Sequence, residues 1–172
     1  MNYRAIILSF LFGGFCLPAC ERKSADQRVV HREGEPDVFN FESEDPEMNA
    51  AIAEAKRTTD SFLKILSDPK SKQTDFSAKR PYPTKGNSGY EHIWISNLSY
   101  DGKLLHGNIS DEPLNIPNLK FDEAVSFPPD ELSDWMYMED KKVVGGYTVH
   151  VARKHMTAGE GAEFDRHIQF KQ

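Results

Sequence analysis

Between Asp45 and Pro69 the apolar residues of this chain fall on one stripe, and that stripe constrains most of what the chain can build. Met48, Ile52, Ala55, Thr59, Phe62 and Leu66 step by four and three, the spacing that lines one face of a helix with about 3.6 residues per turn. Leu63 and Ile65 flank it. Asp45 suits an N-cap, Pro46 the first helical position and Glu47 the positive end of the helix dipole. Asp68-Pro69 stops the helix. The repeat is too short for a coiled coil, so its apolar face needs a surface elsewhere in the chain.

That surface reads as a sheet. Lys70 to Gly89 holds Pro81, Pro83, Gly86 and Gly89 and is expected to be a loop. Tyr90 to Tyr100 and Lys103 to Ser110 flank Asp101-Gly102, a strong hairpin signal. A two-residue turn there pairs Tyr100 with Lys103. It sends Trp94, Leu98, Leu105 and Ile109 to the core and Asn97, His106, Ile95 and Asn108 to the other face; a one-residue slip inverts the assignment. Glu112 to Asn118 is a proline-containing connection, and Glu123 to Phe127 is a short strand. Asp134 to Met138 and Val143 to Ala152 suggest a second hairpin, with Gly145-Gly146 as a bulge or bend within the long strand. Thr157 to Glu160 matches a capping box for a short C-terminal helix. The expected fold class is α+β. An N-terminal amphipathic helix packs on a small, strongly bent antiparallel sheet or partly open barrel, with a short C-terminal helix behind it.

The first residues speak to compartment. Arg4 precedes an apolar run, Ala5 to Leu17, which is too short to span a bilayer and suits a signal-peptide core. It ends Leu17-Pro18-Ala19-Cys20, which resembles a bacterial lipobox and implies cleavage after Ala19 and lipidation of Cys20. Cys16 and Cys20 are the two cysteines of the chain, so no disulfide framework is available beyond the leader. The expected organisation is a signal peptide at 1–19, a lipidated Cys20 with a flexible tether to 44, and one domain at 45–172. Val38, Phe39 and Phe41 are tether residues with the means to dock on that domain. The expected location is the cell envelope, anchored to a membrane and facing the periplasm, with the outer membrane slightly preferred. A net charge of -6 repels phosphate backbones and argues against a nucleic-acid partner.

Several motifs are similar to those of the YegJ-like bacterial proteins, grouped as domain of unknown function 2314. They are Glu91, His92 and Trp94, then Gly107, Glu112-Pro113, Ser133-Asp134-Trp135-Met136-Tyr137 and Gly145-Gly146-Tyr147-Thr148. The Asp-Pro-Glu-Met opening of the helix belongs with them, and Asp111 stands where Asn is expected. The resemblance spans the chain from Asp45 to its end. It implies a shared fold and no activity.

Five residues are candidates for ligand or partner contact: His92, His106, Glu112, Asp134 and Trp135. Asp134 is either a base or sugar ligand, or a turn cap; Trp135 is either a stacking platform or core. Glu91 and His92 are neighbours on a strand and point to opposite faces, so they do not act as a pair. His106, Asn97 and Asn108 form a polar face to which Glu112 can return. His92, His106, Glu112 and Asp134 are expected at the rim of one groove. No catalytic residue, cofactor or metal ligand is assigned: His150 and His155 lack the helical zinc spacing, and no nucleophile elbow or phosphate loop is present. The leading reading is a non-catalytic domain that binds an envelope protein or cell-wall ligand. The alternatives are a small envelope hydrolase using Asp134 and His92, and an immunity-like or inhibitor module.

Overall fold

Asp45 opens the first helix as its side chain requires. In the computed structural model, which describes residues 28–32, 35–40, 45–87 and 89–171, its Oδ1 accepts the Met48 N–H at 2.9 Å. The helix α1 (Pro46–Ser67) buries Ala51, Ala55, Thr59, Phe62 and Leu66, the stripe read from the sequence. The leader and Cys20 lie outside the described residues. Within the stretch read as a tether, β1 (Arg28–Arg32) and β2 (Glu35–Asn40) pair antiparallel.

The sheet under α1 has six strands in the order β6-β5-β4-β3-β7-β8, every neighbouring pair antiparallel, and it does not close into a barrel. These are β3 (Gln73–Pro83), β4 (Tyr90–Tyr100), β5 (Leu105–Ile109), β6 (Ala124–Phe127), β7 (Asp134–Glu139) and β8 (Lys142–Gly145). Strand β3 overturns the loop expected over Lys70–Gly89. It lies at the centre of the sheet despite Pro81 and Pro83. Its pairing with β7 ends at Lys79, whereas its pairing with β4 continues to Pro83. The Lys79 carbonyl accepts from Ser133 N–H on the β7 side, so Pro81 and Pro83, two and four residues on, aim their missing N–H groups where no strand needs them.

The first hairpin also departs from expectation. Its loop has four residues, because the Asp101 side chain accepts both Lys103 N–H at 2.8 Å and Leu104 N–H at 2.7 Å, an Asx-type turn in place of a two-residue one. Tyr100 therefore pairs with Leu105, and a bulge near Asn97 (φ 52) shifts the ladder again, so that Ile95 faces Ile109. The core takes Ile93, Ile95, Leu105 and Ile109, and Trp94 moves to the opposite face, half-buried. Trp135 stays in the core as 4% exposed. It stacks on Phe62 at 4.9 Å and donates its indole N–H to Ala55 O at 3.0 Å, which ties sheet to helix.

The expected long strand Val143–Ala152 ends early. Asp140 and Lys141 make a tight left-handed turn, and β8 stops at Gly145. The helices α2 (Tyr147–His155) and α3 (Ala158–His167) follow. Gly145 (φ 81) passes against the Trp135 carbonyl and ring, where any Cβ collides. His150 and His155 are thus helical, and His150 stacks on Phe170 at 3.6 Å. The capping box of Thr157 and Glu160 forms as read. Residues 169–171 run beside β8, with Val143 N–H donating to Gln169 O at 2.7 Å.

Candidate functional site

On the face opposite α1, three strands align a row of unlike side chains. Lys79 on β3 lies opposite Trp94 on β4 and opposite Asp134 on β7. Because facing residues share a face of the sheet, the three side chains converge, with His92 two places from Trp94 on the same side. The Lys79 ammonium sits over the Trp94 ring, 5.1 Å from its centroid, and lies 3.4 Å from Thr148 Oγ1.

Asp134 is fully buried, and its oxygens are filled from within the chain. Oδ1 accepts Trp135 N–H at 2.8 Å and Tyr147 N–H at 3.1 Å. Oδ2 accepts Thr148 N–H at 2.8 Å and Thr148 O–H at 2.6 Å. Asp134 is therefore the N-cap of α2, supplied from a strand rather than from the preceding residue, Gly146, which has no side chain to do it. Burial pushes its carboxyl up, and the bonds from Thr148 and the Lys79 charge pull it back.

His92 is half-buried, with Nδ1 at 2.8 Å from Ser133 Oγ. Burial first, then the Lys79 and Lys56 cations, lowers its pKa to about 4, so the ring is neutral near pH 7. Ser133 is buried, and its hydroxyl also reaches Lys79 O at 3.3 Å. Burial pushes the Lys79 ammonium down, while Asp134 and Asp111 support its charge. Asp111 reaches the row through Trp94 N–H, which it accepts at 2.9 Å.

The expected groove of four residues does not form. His92 and Asp134 meet in this row, but His106 pairs with Ser99, seven residues further along β4, roughly 20 Å away. There it touches Ser126 Oγ at 2.8 Å and Asp101 Oδ2 at 3.0 Å. Bonds from Leu104, then His106 and Lys103, hold Asp101 at about 2. Glu112 is exposed on the loop after β5. That loop is pinned by Glu91, whose two oxygens accept the N–H groups of Leu114 and Asn115, each at 2.8 Å. Trp135 faces the core. The residues missed from the sequence are Lys79, Trp94 as the aromatic of the open face, Ser133 and Thr148. Lys79 was hidden by the prolines that masked β3, and Thr148 by the strand reading of α2.

Comparison with known proteins adds the following. A family profile described as "uncharacterized protein conserved in bacteria (DUF2314)" matches residues 45–171. The chain is 30% identical over 138 residues, 77% of its length, to a Neisseria meningitidis serogroup B (strain ATCC BAA-335 / MC58) protein provisionally named as an ankyrin repeat protein, and covers 54% of it. It is 30% identical over 102 residues, 59% of its length, to the Escherichia coli (strain K12) uncharacterized protein YegJ, and covers 64% of that. The chain thus spans less than two thirds of either relative. No solved structure matches it.

Proposed function

This chain belongs to the DUF2314 family of bacterial proteins, and we propose that its domain is a non-catalytic binding module that presents the sheet face around Trp94. The observation that carries this reading is the use of Asp134. Both of its oxygens are committed to the N-terminus of α2, so it has no lone pair to offer as a general base. Its partner in the hydrolase reading, His92, faces a buried serine that also bonds a backbone carbonyl, which favours a positioning role over a nucleophile–base pair. Trp94 and Lys79 keep contact with solvent on the same face. The provisional ankyrin-repeat name of the Neisseria relative points the same way, since repeat arrays present binding surfaces.

The location belongs to the same proposal. Leu17-Pro18-Ala19-Cys20 supports a lipid-anchored protein at the cell envelope, the domain reaching its ligand from a tether.

Photo-crosslinking in cells tests the binding reading. Benzoylphenylalanine at position 96, on this face, is expected to yield an adduct that Trp94→Ala abolishes. The same probe at exposed Lys70 is expected to yield none. Equal yields from both positions, or an adduct indifferent to Trp94→Ala, refute it. Cys20→Ser tests the anchor: the protein should stay unprocessed or leave the detergent phase, and a mature-sized variant that still partitions into detergent overturns the anchor.

A further inference from the structure

Lys79 and Trp94 leave hydrogen-bonding capacity unused at one spot. Among the described residues, the three-proton ammonium of Lys79 makes one hydrogen bond, at 3.4 Å to Thr148 Oγ1, and the indole N–H of Trp94 makes none. Among the described residues the buried side-chain atoms without a partner are Arg80 Nε and Tyr82 Oη, both on the other face of β3; the Trp94 indole N–H is not one of them, so it opens to solvent. His92 Nδ1 donates to Ser133 Oγ, whose own proton goes to Lys79 O, and this leaves Nε2 as an unbonded acceptor. The spot therefore has spare donors on Lys79 and Trp94 and one spare acceptor, and it calls for a ligand that accepts and can also donate.

Charge narrows the ligand. Two carboxylates, Asp134 and Asp111, act on the Lys79 ammonium, and Lys56 is a second cation near His92, so the two signs balance. A phosphate or carboxylate ligand would meet no net positive charge here, whereas a neutral acceptor needs none. Topology narrows it again. Strands β3 and β4 lie inside the sheet with neighbours on both sides, so a peptide has no free strand edge to extend at this place. What remains is an aromatic ring flanked by fixed polar groups, the combination that takes a body with one apolar face and polar edges.

We propose that this spot binds a neutral sugar ring, with its C–H face against the exposed part of Trp94 and its hydroxyl or acetamido oxygens accepting from Lys79 Nζ and the Trp94 indole N–H. The proposal rests on the binding reading above and names its ligand class. Ser77 and Ser96, also half-buried, lie on the same face beside Lys79 and Trp94 and line the path of a second ring.

The test titrates the purified full-length protein with N-acetylglucosamine tetramer while reading tryptophan emission. Trp135, buried in the core, is the silent reference. A saturable shift at millimolar sugar is expected, lost in Trp94→Ala and at least roughly tenfold weaker in Lys79→Met. Far-ultraviolet circular dichroism verifies that each variant is folded. A galacturonic acid tetramer and a blocked neutral peptide are titrated in parallel. No response to the neutral sugar up to about 10 mM overturns the proposal. A stronger response to the acidic sugar or the peptide, or a shift that survives in folded Trp94→Ala, does so too. If the sugar fails while the crosslink from position 96 persists, the ligand class falls and the binding reading stands. Failure of both removes both.

Discussion

Acid should destabilise this protein through His92 before most of its carboxylates begin to titrate. The ring ordinarily titrates at 6.5, and in the folded chain it does so at about 4. A lowered value means that the unfolded chain takes up the proton first. The stabilising contribution is complete above 6.5 and is lost as pH falls toward 4. That gap corresponds to no more than about 3 kcal/mol, because the ring keeps some contact with solvent. With a urea slope of about 2 kcal/mol per molar, the unfolding midpoint should fall by up to about 1.5 M between pH 7 and pH 4 from this group alone. The assay is urea unfolding at both pH values for the wild type and for His92→Gln, which retains a hydrogen-bonding group near Ser133 and cannot titrate. Subtracting the variant removes the shared titration of acidic residues. Burial is the first cause of the shift and the Lys79 cation the second, so Lys79→Met should raise the His92 midpoint when followed by imidazole NMR. If wild type and His92→Gln lose stability in parallel between pH 7 and 4, the ring is not held neutral by its surroundings and the account of this row is wrong.

Other perturbations address the same architecture. Asp134→Ala leaves Trp135, Tyr147 and Thr148 N–H groups without their acceptor and should cost about 3–5 kcal/mol in urea unfolding; a loss below about 1 kcal/mol would mean that α2 is capped by water. Trp135→Ala should cost about 3–5 kcal/mol, whereas Trp94→Ala, half-buried on the other face, should cost less than about 2 kcal/mol; equal losses would place both indoles in one core. Gly145→Ala meets both a left-handed backbone and the Trp135 carbonyl, and thermal melts should show at least about 2 kcal/mol of destabilisation. A neutral result there would show that the bend after β8 relaxes freely.

The long-range pieces of this fold were legible to different degrees. Helix α1 was readable with its cap, stop and buried stripe, because a 3.6-residue period and an adjacent Asp-Pro are local signals. So was the Thr157 capping box, whose partners lie three residues apart. Strand β3 was not, because proline is a local stop signal and the sequence cannot tell that Pro81 and Pro83 point away from the neighbour that would need their N–H groups. Helix α2 was not, because its N-cap comes from Asp134, thirteen residues before Tyr147, and the local Gly145-Gly146 pair reads equally well as a strand bend. The inner half of β4 was inverted by the bulge near Asn97: the longer Asp101 turn moved the register by two residues, which keeps the faces, and the one-residue shift at the bulge then put Ile95 opposite Ile109 in the core and Trp94 on the open face.

The sequence by itself thus determined the α+β class, the helix that covers the sheet and the two aromatic residues that matter most, since each follows from spacing and residue type within a few positions. The tertiary structure decided which of those tryptophans is core and which is surface, and that Asp134 holds a helix. It alone brought Lys79 beside Trp94. Those outcomes depend on strand register, and register is fixed by turn geometry and by contacts between residues far apart in the chain, where local patterning carries no information.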